Sequence, residues 1–476
     1  MNSGRTERAS THPLAPGWLV EPEDANALAP GLWSRNAARG DDGELEIAGV
    51  PAGRLAAEFG TPVYVVDEED ARSRAAEARS AFDAAMGAIG TTARIYYAGK
   101  AFLCTEIVRW VADAGLGIDV ASGGELAVAL AGGIDPARIG VHGNNKSEAE
   151  IARAVEVGVG AIVIDSPIEV ERVAAAAARA GRVQRVRLRI SAGVHASTHE
   201  YLATAHEDQK FGVTVADAPR LVDAIRALPS LEFLGLHSHI GSQIFETEGF
   251  AEAARRLLAL HARLLDGGPV PELNLGGGFG IAYTSADDPM PVTEIAGSMA
   301  AAIAQAAAEL GVPVPVIAVE PGRSIIGRAG TTLYRVGTVK PVTVDAAGGP
   351  AVRRYVSVDG GMSDNVRPAL YGAAYSARLA SRVSGDRPAL SRVAGMHCES
   401  GDIVVRDEYL PADVGPGDLL AVPATGAYGW AMASNYNWVP RPPVVAVHDG
   451  VARVIVRGET IADLLARDPG ADGSAG

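Results

Sequence analysis

Four short apolar runs in this 476-residue chain end in side chains able to do chemistry. "IYYAGKAF" carries Lys100, and "GLHSHIGSQ" carries His237, His239 and Ser242. "LNLGGGFG" carries Gly276, Gly277, Gly278 and Gly280, and "VEPGRS" carries Glu320 and Arg323. A lysine amine is a nucleophile toward carbonyl groups. Bare glycine amides make a concavity that an anion such as phosphate can approach closely. A carboxylate at the end of an apolar strand is costly if buried alone, so Glu320 calls for Arg323 or a cationic ligand. Each feature also has a plainer meaning: a solvated surface lysine, a tight glycine turn, an HxH metal pair. The metal alternative needs further His and Asp at other strand ends, where His142 is the one additional histidine, and no metal is expected.

To act together, these residues must be carried to one place by the elements between them. From about residue 64, after a lead-in "VYVV", β-rich runs alternate with Ala-rich, helix-periodic stretches, several of which end in Gly. Eight strands are expected, at 94–98, 116–120, 138–142, 161–165, 185–190, 231–239, 272–276 and 316–320. Eight βα units predict a (β/α)8 TIM-type barrel, whose chemistry sits at the carboxyl ends of its strands. An open, doubly wound sheet is the competing arrangement. The runs that carry Lys100, His239, the glycines and Glu320 would all end at one mouth of the barrel. Past residue 325 the Val-rich alternating runs divided by Gly, Pro and Asp predict an antiparallel β domain. The expected organisation is a flexible extension at 1–31, a segment at 32–63 that packs with the β domain, a barrel at 64–322, the β domain at 323–465 and a flexible tail at 466–476.

Bulk composition narrows the function. A formal net charge of −15 with no dense Lys/Arg run argues against nucleic acid or an anionic membrane as partner. Two cysteines, Cys104 and Cys398, exclude a disulfide framework and a Cys-rich zinc site. No signal-peptide core and no long apolar span occur, so a cytoplasmic protein is expected. Taken together, a lysine amine, a glycine cradle with Ser242, a carboxylate and an imidazole are the parts of a pyridoxal 5'-phosphate site, with Lys100 carrying the cofactor.

Longer motifs support that assignment. "YYAGKAF", "DVASGGEL", "HGNNKS", "THEYLATAHEDQKFG", "GLHSHIGSQIF", "LNLGGGFGIAY", "VEPGRS", "VDGGMSDNVRPALYG", "HCESGDIV" and "GAYGWAMASNYN" resemble the diaminopimelate decarboxylase family over residues 32–465. That family shares an alanine-racemase-like fold with ornithine and arginine decarboxylases. The resemblance implies decarboxylation of meso-2,6-diaminopimelate to L-lysine and CO2, the last step of lysine biosynthesis. It implies Lys100 as cofactor anchor, His239 as the imidazole on the cofactor ring, and Ser242, Gly277 and Gly278 as phosphate contacts. Glu320 would face the pyridine nitrogen, and Arg323 would be shared between cofactor and substrate. Arg367 and Tyr371 would bind the distal end of the substrate, and Glu399 its distal ammonium. Cys398 would be the proton donor, and Tyr428 would touch both substrate and phosphate. A homodimer is implied, with the "CES" loop reaching the neighbouring site. Two arginines and a glutamate suit a substrate with two carboxylates and a second ammonium, whereas ornithine and lysine lack the distal carboxylate. Alternatives are a decarboxylase of ornithine, arginine or carboxynorspermidine, and a non-catalytic PLP-binding homologue. Gly429 and Trp430 depart from the small or polar pair expected after Tyr428, which leaves the substrate preference open at that point.

Overall fold

The computed structural model describes residues 12–194 and 210–471. The motif at 198–212 therefore lies outside the described residues up to position 209. The chain divides into two compact units, one of 72–281 and 289–325, the other of the remaining residues.

The first unit contains the eight expected strands in the expected order: β1 Ala93–Ala98, β2 Gly117–Val120, β3 Ile139–Val141, β4 Ala161–Ile164, β5 Gln184–Ser191, β6 Leu231–His237, β7 Glu272–Asn274 and β8 Val316–Val319. All pair in parallel, and β8 returns to β1 through Ile317 opposite Ala93, which closes the barrel and excludes the open sheet. Strands such as β2 and β4 are buried along their whole length, as helix-covered parallel strands must be. Local sequence sets the helices between them. Ser147 and Glu150 form a capping box at the start of Glu148–Val157, and Gly158 in the left-handed conformation ends it. Helix Ala218–Arg226 buries Ala218, Leu221, Val222 and Ile225, one face at helical spacing. The barrel interior also holds a buried ion pair, Arg187 with Glu272, joined by Arg94 and the Tyr96 hydroxyl.

In the second unit the 17-residue strand Gly330–Ala346 pairs antiparallel with Gly349–Val358, with Leu419–Pro423 and with Val63–Asp67. Val63–Asp67 was expected to lead into the barrel; it is instead buried at all five positions, between Gly330–Ala346 and Val444–His448 in this sheet. An apolar run buried on both faces looks alike in either setting. From the segment at 32–63, Leu32, Trp33, Leu45, Ile47 and Leu55 share a buried core with Leu333, Leu419 and Val445. Residues 12–31, expected to be flexible, also lie on this unit. Leu19 packs with Leu390 and Tyr409, Asn26 exchanges hydrogen bonds with Ser384, and the Ala27 carbonyl accepts from Arg378.

Candidate functional site

Lys100 stands in a 3-10 turn, Gly99–Ala101, directly after β1. The turn is held by the buried Tyr97 hydroxyl, which donates to the Phe102 carbonyl at 2.7 Å. It also packs tightly: a Cβ on Gly99 would lie 2.9 Å from the Asp119 carbonyl oxygen, so "AGK" needs its glycine for the turn to sit against β2. Lys100 reaches a cavity of about 390 Å3, within the roughly 300–1,000 Å3 range of small-molecule sites. The chain has four lysines, Lys100, Lys146, Lys210 and Lys340. Lys100 alone of these lines the cavity, while Lys146 is buried in an ion pair with Glu169 at 3.0 Å.

Glu320 lines the same cavity, follows β8, the strand paired with β1, and has three nitrogens close to one of its oxygens. Its Oε1 lies 2.8 Å from Asn274 Nδ2, 3.0 Å from His237 Nε2 and 3.4 Å from His142 Nε2. Burial alone would push the Glu320 carboxyl up, but these neighbours hold it well below the usual carboxylate range. Asp119 moves the other way, raised by burial and by the charge on Glu320, although Arg187 and Lys100 pull against that rise. Burial lowers His142 and His237 to about 4 and His239 to about 3, which keeps all three imidazoles neutral. His239 lines the cavity, and its Nδ1 accepts from the Gly277 backbone N–H at 3.3 Å, leaving the ring proton on Nε2.

The glycine loop is as bare as its sequence suggests. Gly276 and Gly278 have φ of 68° and 109°, and a Cβ on Gly277 would lie 2.0 Å from the Glu320 carbonyl oxygen. Nearby, the Arg323 guanidinium donates to Ser242 Oγ at 2.8 Å. The structure thus brings together Lys100, His239, Ser242, Gly277, Gly278, Glu320 and Arg323 in one unit.

Arg367, Tyr371, Cys398, Glu399 and Tyr428 belong to the other unit. Arg367 is buried, donates to the Tyr375 hydroxyl and lies 4.6 Å from the Tyr283 ring centroid. Tyr371, one turn on, is 66% exposed, so the two residues expected to act as a pair stand in different surroundings. Cys398 and Glu399 are exposed on a loop that its neighbours fix. The His397 backbone N–H donates to Asp402, while the His397 ring is 2.8 Å from Ser363 Oγ and 3.0 Å from Asn437 Oδ1. Tyr428 is half-buried with a positive φ of 62°. The unexpected Gly429 has a packing reason, since a Cβ there would meet the Thr425 carbonyl at 2.8 Å and the Tyr64 ring at 3.1 Å.

The sequence reading had no role for Asp119, Arg189 and Asn274. The signal for Asp119 was an acid inside the apolar run "LGIDV"; nothing in the sequence singled out the other two. His142 and His237 were weighed as metal ligands, and the structure does bring them to Glu320 within ligand distance of one another.

Residues 72–327 match the family described as pyridoxal-dependent decarboxylase, pyridoxal binding domain. The diaminopimelate decarboxylase of Mycobacterium tuberculosis is 51% identical over 446 residues, 92% of this chain and 98% of that protein. That of Bacillus subtilis is 44% identical over 430 residues, 90% of this chain and 95% of its own length. A crystal structure of diaminopimelate decarboxylase from M. jannaschii in complex with L-lysine superposes with a TM-score of 0.83 at 32% identity, covering 92% of this chain and 98% of that one.

Proposed function

The chain belongs to the diaminopimelate decarboxylase family of pyridoxal-dependent enzymes, and on that premise we propose how its own residues divide the work. The reaction is the loss of CO2 from meso-2,6-diaminopimelate to give L-lysine. The residues fit pyridoxal phosphate: one lysine of four meets the cavity, a carboxylate held well below its usual range lines the same cavity, and the glycine loop leaves no room for a Cβ. When bound, the cofactor supplies an electron-accepting ring that takes the electron pair left as the carboxylate departs.

Lys100 would hold the cofactor through its Nζ, and Gly277, Gly278 and Ser242 would receive the phosphate. Neutral His239 would lie on the ring without adding a positive charge that competes with the ring nitrogen. Glu320, kept ionised, would hold a proton on that nitrogen and so maintain the electron sink. Arg323 and Arg367 would take the two substrate carboxylates, Glu399 the distal ammonium, and Tyr371 and Tyr428 hydroxyls would complete the contacts. As the carbon–carbon bond to the carboxylate breaks, Cys398 Sγ would give its proton to the carbon that lost CO2.

Two further parts of the account concern assembly and location. The loop of Cys398 would act on the site of a second copy in a homodimer. Leu370, Tyr371 and Met396 support this, because these large apolar side chains are exposed on the segments that carry Arg367 and Cys398, and Tyr436 and Trp438 are exposed on the turn whose Asn437 meets the His397 ring. Among the described residues no helix is long and apolar enough to cross a membrane, and a biosynthetic reaction on a free amino acid suits the cytoplasm.

The observation that carries this reading is that Lys100, alone of the four lysines, lines the same cavity as Glu320, at the ends of the paired strands β1 and β8. The test is the visible absorption of the purified protein with pyridoxal phosphate, followed by CO2 and lysine release from meso-diaminopimelate. Lysine and CO2 in equal amounts, with the band lost in Lys100→Ala, would support it. A band without lysine would move the substrate to another diamino acid.

A further inference from the structure

The "HSH" sequence puts His237 at the last residue of β6 and His239 two residues beyond it, and both line the cavity. His239 meets the cavity and has a role above. His237 is 1% exposed and has none, and a buried imidazole that touches nothing useful is a poor use of a core position.

Its nearest polar neighbour is Glu320. His237 Nε2, from β6, lies 3.0 Å from Oε1; Asn274 Nδ2, from β7, donates to the same oxygen at 2.8 Å; His142 Nε2, after β3, is 3.4 Å from it. The Asn274 amide is oriented by its other end, where Oδ1 accepts from the Gly276 N–H at 2.9 Å. The backbone closes this arrangement, since the Glu320 N–H donates to the Gly276 carbonyl at 2.8 Å. His142 and His237 pack edge to face with centroids 5.0 Å apart, which limits how either ring can turn. A carboxylate has about four lone-pair directions. Crowding three neighbours on Oε1 leaves Oε2 as the oxygen with lone pairs to offer a ligand.

We propose that His237 is a positioning residue, whose neutral Nε2–H holds Glu320 Oε1 so that the carboxylate stays ionised and presents Oε2 to the ring nitrogen of the cofactor. This rests on the reading of Glu320 given above. The contact is close but bent, with neither ring nitrogen of His237 in a well-aligned hydrogen bond among the described residues. Such contacts tighten when the ligand is present. The other ionisable groups around His237 are His142, His239 and Arg189, and around Glu320 they include His142, His239, Asp119 and Arg189. Burial holds His237 to about 4, so it serves as a neutral donor throughout the working range. A cationic imidazole here would neutralise Glu320 and remove the negative charge that the ring nitrogen needs.

The test compares His237→Leu and His237→Gln in the full-length enzyme, reading pyridoxal phosphate affinity and the pH dependence of the visible band as well as turnover. His237→Leu should bind the cofactor about tenfold more weakly, the worth of one hydrogen bond to a charged group, and lower kcat with little change in KM. Its band should acquire a new pH dependence as Glu320 becomes easier to protonate. His237→Gln, which restores an N–H at the same reach, should recover most of both. In a Glu320→Gln background, His237→Leu should change affinity by less than about twofold, because its partner is already gone. A His237→Leu enzyme with unaltered affinity, pH dependence and turnover would overturn the inference, as would a full loss repeated in the Glu320→Gln background. Imidazole nitrogen NMR of the unaltered apoenzyme gives a check that needs no variant to fold. A neutral His237 with its proton on Nε2 is expected, and a cation or the other tautomer would overturn the proposal. An unaltered protein that takes up no pyridoxal phosphate would instead sink the reading of the cofactor site itself.

Discussion

The two units treat their chemical groups in opposite ways. In the barrel unit, Glu320, His237 and Asp119 are buried in contact with one another or with the half-buried His142, and Glu320 is held by named neighbours. In the β unit, Cys398, Glu399 and Tyr371 are exposed, and what is fixed is the loop beneath them through His397 and Asp402. A cofactor that stays through every turnover rewards a preorganised, dehydrated cradle. Groups that meet a substrate, or a second copy of the chain, must stay reachable until that encounter.

The largest expected effect comes from the barrel side. Lys100→Ala should lower decarboxylation by roughly 10^3-fold or more, equivalent to about 4 kcal/mol or more of barrier, and abolish the visible band. Steady-state kinetics and one absorption spectrum decide this. Retention of both would break the comparison by showing that the cradle does not depend on its lysine.

Next is the exposed side. Cys398→Ala should slow turnover by about 10^2-fold while leaving unfolding within about 0.5 kcal/mol of the parent, because the side chain is exposed. Mixing Lys100→Ala with Cys398→Ala subunits should restore activity if the loop serves a partner's site, since one hybrid site then has both an intact lysine and an intact cysteine. Mixtures as inactive as their components would place the loop in its own chain's site.

A smaller effect sets the units against each other by pH. His142 and His237 are lowered from 6.5 to about 4, so between these values the unfolded chain binds more protons than the folded one. Their contribution is complete above about pH 6.5 and is lost as the pH falls toward about 4, at up to about 1.4 kcal/mol per pH unit for each group. Asp364, in the β unit, is raised from 3.8 to about 7 by burial, so its contribution is complete below about 3.8 and lost as the pH rises through about 7. Segment-resolved hydrogen exchange of the apoenzyme, corrected for intrinsic rates, should show the two units with opposite slopes. Parallel slopes would contradict the assigned protonation states.

The smallest effect is expected at Tyr371. Its exposed hydroxyl would make one neutral hydrogen bond to substrate, so Tyr371→Phe should raise KM by less than about tenfold with kcat nearly unchanged.

The barrel was legible because the β-branched runs alternated with Ala-rich helical stretches, and four of the eight strand ends carried a chemical signature. Lys100, His239 and Glu320 were found as strand-end residues for that reason. The strand Val63–Asp67 was misassigned because five buried residues give no alternation to tell a barrel strand from the middle of a β sheet. Residues 12–31 read as flexible from their Pro and Ala content, whereas a few contacts, from Leu19, Asn26 and the Ala27 carbonyl, tie them down. His237 and His142 were seen, weighed for a metal and given no role, because strand-end position shows that imidazoles gather at one mouth and not that Glu320 stands beside them. Asn274 could not be read at all, since its meaning lies in Glu320, 46 residues away in sequence.

The central claim is that Lys100 is the residue that carries the cofactor, and borohydride trapping of the enzyme with pyridoxal phosphate, followed by digestion and mass spectrometry, tests it most directly. With four lysines in the chain the answer is discrete. The account predicts the pyridoxyl group on Lys100; finding it on Lys146, Lys210 or Lys340, or on none, would contradict it.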